Sequence, residues 1–282
     1  MDVNVTALIE NRSANPELAF EFGLSLLVEA GGRRILFDAG SSGAFADNAA
    51  RLGVNLEGVD AAVLSHGHYD HCLGLCRLVE AGGLKAPLYV HRDFFTDRWW
   101  DKGDSDGYYY PTSSGLDAPY LLRHGVLLRA LAQPVFQPFP GEELYLLSGF
   151  RRACRFEPMD PADLVFTGSG FRVDDYRDEL ALVVRGETGL AVFTGCAHSG
   201  LVNICTHAEA LLGLPVLAYV GGTHLAPSPL TRAERTAEYV NASSIRTLAA
   251  CHCTGPSAME LFARACPAYT PFSTGDRLTL TV

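Results

Sequence analysis

The stretch Ser65-His66-Gly67-His68-Tyr69-Asp70-His71 gathers three imidazoles and a carboxylate. Neutral imidazole nitrogens and carboxylate oxygens are ordinary zinc ligands, and they also suit iron and manganese. Val59-Asp60-Ala61-Ala62-Val63-Leu64 precedes them and reads as a short buried strand running into a polar loop. Alternate side chains of extended backbone point the same way, which places His66 and His68 to grip one ion. Asp70 and His71 fall where Cys72 to Glu80 turns helical, so they face a second, adjacent ion. One loop thereby seeds a two-metal centre. Loops do collect histidines by chance, and a single histidine often caps a helix, but four donors at this density favour a metal site.

The surrounding elements must hold that loop. Residues 1–40 read as strand, loop, strand, hairpin turn and strand, with the turn at Gly31-Gly32. The polar loop Asn11 to Pro16 is placed to overhang a site at strand ends. A helix is expected over 41–52, begun by Ser41-Ser42-Gly43, with Phe45, Ala49 and Leu52 on one face. Further helices are expected at 70–80, 200–213 and 230–241, with Asn203 and Thr231 near the last two starts. Pro87 to His91, Val126 to Leu128 and Leu144 to Leu147 read as strands, the last two separated by Pro134, Pro138 and Pro140. His91 and His124 read as structural or rim residues.

From Arg92 to Tyr120 the chain interleaves Phe94, Phe95, Trp99, Trp100, Tyr108, Tyr109, Tyr110 and Tyr120 with charges and glycines. Three roles fit: a wall stacking on a flat ligand, an aromatic homo-oligomer contact, or a satellite core under a long loop. Arg151, Arg152 and Arg155 form a small basic cluster, either a solvated or paired face or a site for an anionic group.

A chain of 282 residues with 48% hydrophobic content can form one large α/β domain. Its 22 basic and 32 acidic residues give a net charge of −10, which disfavours nonspecific nucleic-acid and anionic-membrane partners. The amino terminus lacks a basic start and apolar run, and no segment reaches the roughly 18 apolar residues of a membrane span. A cytoplasmic protein with a small-molecule substrate is the expectation. The eight cysteines are then expected to be free thiols, with Cys196, Cys251 and Cys253 beside candidate ligands.

The pattern His66-x-His68-x-Asp70-His71, with Arg34-Ile35-Leu36-Phe37 and Asp38-Ala39-Gly40 upstream, resembles the metallo-β-lactamase superfamily of binuclear metal hydrolases. The likeness spans nearly the whole chain. It implies an αβ/βα four-layer sandwich, one domain over 1–282 with an aromatic-rich insertion near 92–120. Asp38 would support the metal loop, and His252 matches the family's last ligand. Where many members carry a Gly-His loop ligand, Val173 to Leu180 offers carboxylates instead. Where many members carry a bridging aspartate, Cys196 stands, with His198 two residues on. His198 is favoured as the remaining ligand by side-chain type, with Cys196 or a carboxylate from 174–179 as alternatives. The implied metal set is His66, His68, Asp70, His71, His198 and His252, holding two divalent ions, zinc foremost, with iron or manganese as alternatives.

Gly195 to Gly200, Gly221-Gly222-Thr223-His224-Leu225 and Cys251 to Gly255 resemble a narrower branch that includes dihydropterin-ribofuranosyl-aminobenzene phosphate synthases. The leading expectation is a hydrolase of a small phosphoester, thioester or lactone. Asp70 or His224 would move a proton, and His224, Trp99, Trp100 and Tyr108 would contact substrate. His224 also has a competing structural, hydrogen-bonding role. The alternatives are a synthase-like transferase and a metal-binding redox or sensor protein.

Overall fold

Gly31 and Gly32 both adopt positive φ, 58° and 79°, the conformation that a two-residue hairpin turn demands. They fold Ser25–Ala30 antiparallel onto Arg33–Phe37, with Ala30 opposite Arg33. The computed structural model describes residues 1–103 and 107–282; residues 104–106, inside the aromatic stretch, lie outside the described residues.

The hairpin sits in a seven-stranded sheet. From one edge the order is Arg277–Thr281, Asp2–Ile9, Ser25–Ala30, Arg33–Phe37, Ala61–Val63, Leu88–His91 and Leu128–Leu131. The expected strand at 126–128 thus begins where that segment was predicted to end. A six-stranded sheet runs Thr247–Ala250, Val216–Gly221, Leu190–Thr194, Ala181–Arg185, Leu144–Leu147 and Val135–Phe136. Each is parallel on one side and antiparallel on the other.

Alternation along the strands builds the layers. Leu26, Val28, Ile35, Phe37 and Val63 of the first sheet meet Leu144, Leu146, Leu182, Val184, Phe193 and Val220 of the second in one central core. Leu27, Leu36 and Ala62 face outward against Phe45, Ala49, Leu75 and Val79 of the helices Ala44–Arg51 and Leu75–Glu80. Ala181, Val183 and Val192 face outward against the helices Leu201–Leu212, Leu230–Ala242 and Pro256–Ala265. The result is the four-layer αβ/βα sandwich. Its central strands, such as Ala61–Val63 and Leu190–Thr194, are apolar on both faces because both faces are covered, whereas the edge strands Arg277–Thr281 and Leu128–Leu131 are largely exposed.

One local expectation shifts. The helix expected over 70–80 is two, Tyr69–Cys72 and Leu75–Glu80. The break is at Gly74, whose N–H donates to Gly40 O at 3.0 Å and where a β-carbon would sit 2.0 Å from Ala39 O. Asn203 lies in the first turn of Leu201–Leu212, near its start as expected, and its Oδ1 accepts the N–H groups of Ala153 and Cys154 at 2.9 and 2.8 Å. The aromatic stretch pairs with distant chain: Tyr109–Pro111, Arg98–Asp101, Asp163–Phe166 and Phe171–Val173 form a small four-stranded sheet.

Candidate metal centre

Parallel strands carry their functional loops at their carboxyl ends, and the candidate ligands fall there. His66 and His68 follow Ala61–Val63, His198 follows Leu190–Thr194, His224 follows Val216–Gly221, and His252 follows Thr247–Ala250. Donor atoms of His66, His68 and His198 lie within 4.8 Å of one another. Nε2 of His66 and of His198 is buried without a hydrogen-bond partner, an arrangement that costs free energy unless another group takes those lone pairs. Burial and neighbouring imidazoles hold His66 and His198 well below the usual histidine range, and burial pulls His68 down to about 3. Three neutral rings with converging nitrogens fit a divalent ion.

Asp70, His71, Cys196 and His252 form a second set, also within 4.8 Å. His71 Nε2 lies 3.1 Å from Cys196 Sγ, and His252 Nε2 lies 3.2 Å from Asp70 Oδ2. The two sets abut, since the rings of His66 and His71 are 4.4 Å apart. Burial pushes the Asp70 carboxyl up, but His71 and His252 outweigh it and hold it below the usual carboxylate range. Asp38 lies beneath: its Oδ2 is 2.7 Å from His71 Nδ1 and accepts Ser65 Oγ–H, while Oδ1 accepts Ser65 N–H at 2.7 Å. Fixing Nδ1 in this way aims Nε2 at the set. Asn11 Oδ1 stands 2.9 Å from His252 Nδ1 and does the same there.

His198 and Cys196 therefore both reach the centre, in different sets. The carboxylates of 174–179 have other partners. Glu179 accepts the N–H groups of His198 and Ser199 at 2.7 and 2.8 Å. Asp174 and Asp178 pair with the buried guanidinium of Arg98 at 2.8 and 2.6 Å. Asp178 also accepts the N–H of Gly67 at 2.8 Å, which ties the metal loop to the small sheet. Arg152 of the basic cluster donates to His198 O at 2.8 Å.

A β-carbon at Gly67 would stand 2.3 Å from Phe94 O and 2.5 Å from Arg98 Nη1. Gly67→Ala should cost about 1–3 kcal/mol, read as a lower urea midpoint; an unchanged midpoint would show that the loop has room to move.

The two sets open on a cavity of about 500 Å³ lined by His68, Asp70, Cys196, His198, His224, His252 and Cys253, with Phe22, Trp100, Asp160 and Asp163 among its walls. Of the three aromatics expected to contact substrate, Trp100 lines it. Trp99 and Tyr108 do not. Strand neighbours point to opposite faces, so Trp99 turns to Phe171, ring centroids 6.1 Å apart, and Tyr108 packs on Tyr110 at 4.8 Å. His224 sits 4.1 Å from the His198 ring, and burial pulls it down to about 4.

Asp38, Tyr176, Ala197, His224 and His252 hold positive φ, a strain that clusters at functional sites. Tyr176 stacks on His198, centroids 3.7 Å apart and planes 7° apart. Asp163 Oδ2 lies 3.7 Å from His198 Nδ1, and burial pushes its carboxyl up to about 7. Neither was singled out from sequence: Tyr176 lies in Val173 to Leu180, read there for its carboxylates alone, and Asp163 begins a short strand placed by its long-range pairing with Trp100.

Fold and site together define the class. The chain belongs to the metallo-beta-lactamase superfamily, whose family model matches residues 18–201. It is 28% identical over 256 residues to an uncharacterised protein of Methanocaldococcus jannaschii, covering 90% of this chain and 92% of that one. It is 24% identical over 265 residues to the 7,8-dihydropterin-6-methyl-4-(beta-D-ribofuranosyl)-aminobenzene-5'-phosphate synthase of the same organism, covering 86% and 84%. Among solved structures, a metal-dependent hydrolase of the beta-lactamase superfamily matches with TM-score 0.83, 26% identity and 99% of both chains. Zinc-bound PqqB from Methylobacterium extorquens shares the fold at TM-score 0.57 and 15% identity, over 99% of this chain and 100% of that one. Among the described residues, no helix is long and apolar enough to cross a membrane.

Proposed function

We propose that this protein is a metal-dependent hydrolase of a small phosphoester, thioester or lactone. The observation that carries the reading is a pair of abutting donor sets on one cavity: His66, His68 and His198 beside Asp70, His71, Cys196 and His252. Each set would hold one divalent ion, zinc foremost, with iron or manganese as alternatives. When bound, the ions would supply Lewis acidity toward water and toward the substrate's phosphoryl or carbonyl oxygen.

The chain's own residues do the rest. His224, kept neutral by burial, accepts or returns a proton at its ring nitrogen. Its backbone is held separately, the N–H donating to Cys253 Sγ at 3.3 Å. Asp70, kept ionised, acts as a ligand and is the alternative to His224 for moving the proton. Trp100 and Phe22 offer aromatic faces on the cavity wall against which the substrate's apolar part is held and water excluded.

The test is metal content together with turnover on phosphodiester, thioester and lactone panels, for the wild type, His68→Ala and His198→Ala. Wild-type protein should carry about two ions per chain. Both variants should lose metal and lose activity by more than the roughly 10–100-fold that removal of a ligand's hydrogen-bond partner costs. A wild type that takes up neither zinc, iron nor manganese would sink the reading. The synthase relative supports a second reading, transfer to an acceptor other than water, with the same aromatic wall stacking on a flat ring. Product analysis separates the two. Reversible redox spectra without turnover on any panel would favour the redox or sensor alternative over both.

A further inference from the structure

Two thiols meet at the second donor set. Cys196 Sγ lies 3.1 Å from His71 Nε2. Cys253 Sγ lies 3.5 Å from Cys196 O, its thiol donating to that backbone carbonyl. Gly222 is the spacer that lets them approach: a β-carbon there would stand 2.5 Å from Cys253 Sγ and 3.2 Å from Cys196 Cα. Both cysteines line the cavity, 3% and 6% exposed, so a small oxidant in that cavity reaches them. The other thiols sit elsewhere. Cys251 packs between the sheets, Cys205 and Cys266 under the outer helices of the second sheet, and Cys72 in the opposite helical layer. Cys76 and Cys154 are half-buried.

We propose that Cys196 and Cys253 form an oxidation site, a thiol pair whose disulfide withdraws Cys196 from the Asp70, His71 and His252 donor set. The oxidant class is a peroxide. The Cys253 sulfur, which accepts the His224 N–H at 3.3 Å, attacks one peroxide oxygen; the O–O bond breaks, leaving a sulfenic acid and water. The Cys196 sulfur then attacks the Cys253 sulfur, the S–S bond forms, and the sulfenic oxygen leaves with the Cys196 proton as a second water. Two thiols are oxidised and one peroxide is reduced to two waters. Once tied to Cys253, the Cys196 sulfur is no longer a thiolate donor. The effect on metal rests on the binuclear reading; the cross-link itself does not.

Metal-free protein is treated with hydrogen peroxide, its thiols are counted after denaturation, and its peptides are mapped without reduction. The free thiols should fall from the eight of the sequence by two, with one cross-linked peptide joining residues 196 and 253. When zinc is then supplied, the oxidised protein should bind the ion of that set at least about tenfold more weakly than the reduced protein, and dithiothreitol should restore binding. Cys253→Ser, treated identically, should form no such peptide and keep its zinc affinity. Thiol loss without the 196–253 peptide would overturn the pair, and the peptide with unchanged zinc binding would overturn its effect on metal. Reduced protein that binds no zinc would overturn the metal-centre reading, a failure distinct from that of the cross-link map.

Discussion

Asp38→Ala should lower the free energy of unfolding by about 3–5 kcal/mol and strip metal from the second set. Asp38 is fully buried, and its carboxylate serves Ser65 N–H, Ser65 Oγ–H and His71 Nδ1, each at 2.7 Å. Alanine leaves Ser65 N–H and His71 Nδ1 without that partner in a place water does not reach, while Ser65 Oγ keeps only His66 Nδ1 at 2.9 Å, and an unmet buried polar group costs its full desolvation. Asp38→Asn separates structure from chemistry. The amide keeps the volume and an oxygen for Ser65, but it lacks the charge that fixes the His71 proton on Nδ1. Its loss of stability should be smaller, while metal affinity falls roughly 10–100-fold. Urea unfolding and zinc titration read the two effects. Wild-type zinc affinity in Asp38→Asn would show that His71 needs no such support.

How much of this was legible in the sequence depended on the range of the interactions. The hairpin at Gly31-Gly32 is a local signal, whereas the sandwich was legible only through the resemblance to the superfamily; Leu26, Leu27 and Val28 are all apolar, and only the structure shows which of them face the central core and which the outer helices. The loop from His66 to His71 is equally local. What ligand type cannot give is how donors divide: Cys196 and His198 are two residues apart, yet they serve different sets, because Ala197 between them takes φ of 55°. The facing of Trp99 and Trp100 was hidden for a similar reason. Only the pairing of Arg98–Asp101 with Asp163–Phe166 decides which ring meets the cavity. The helix Pro256–Ala265 carries a proline at its first position, a start signal that is itself local.

Arg98 is the extreme case of a residue invisible to local pattern, and its removal is the second large effect expected. Its side chain is 2% exposed, its partners Asp174 and Asp178 are 3% and 0% exposed, and it donates to Phe94 O at 3.2 Å. Arg98→Met should cost about 3–5 kcal/mol near neutral pH, because two buried carboxylates lose their cation. The pH dependence identifies the cause. Burial pushes Asp178 from 3.8 up to about 7, against the downward pull of Arg98. A carboxyl whose folded pKa lies above its unfolded value makes the fold lose stability as pH rises through that interval. Without Arg98 the folded value climbs further, so the variant's deficit should be small at pH 5 and large at pH 8. Adding Asp178→Asn should recover most of the deficit at pH 8. A deficit equal at both pH values would mean that Arg98 matters through packing alone. Asp178 also holds the Gly67 N–H between His66 and His68, so zinc affinity should weaken in Arg98→Met at pH 8 along with stability. Charge lost at the small sheet then reaches the metal loop through one hydrogen bond.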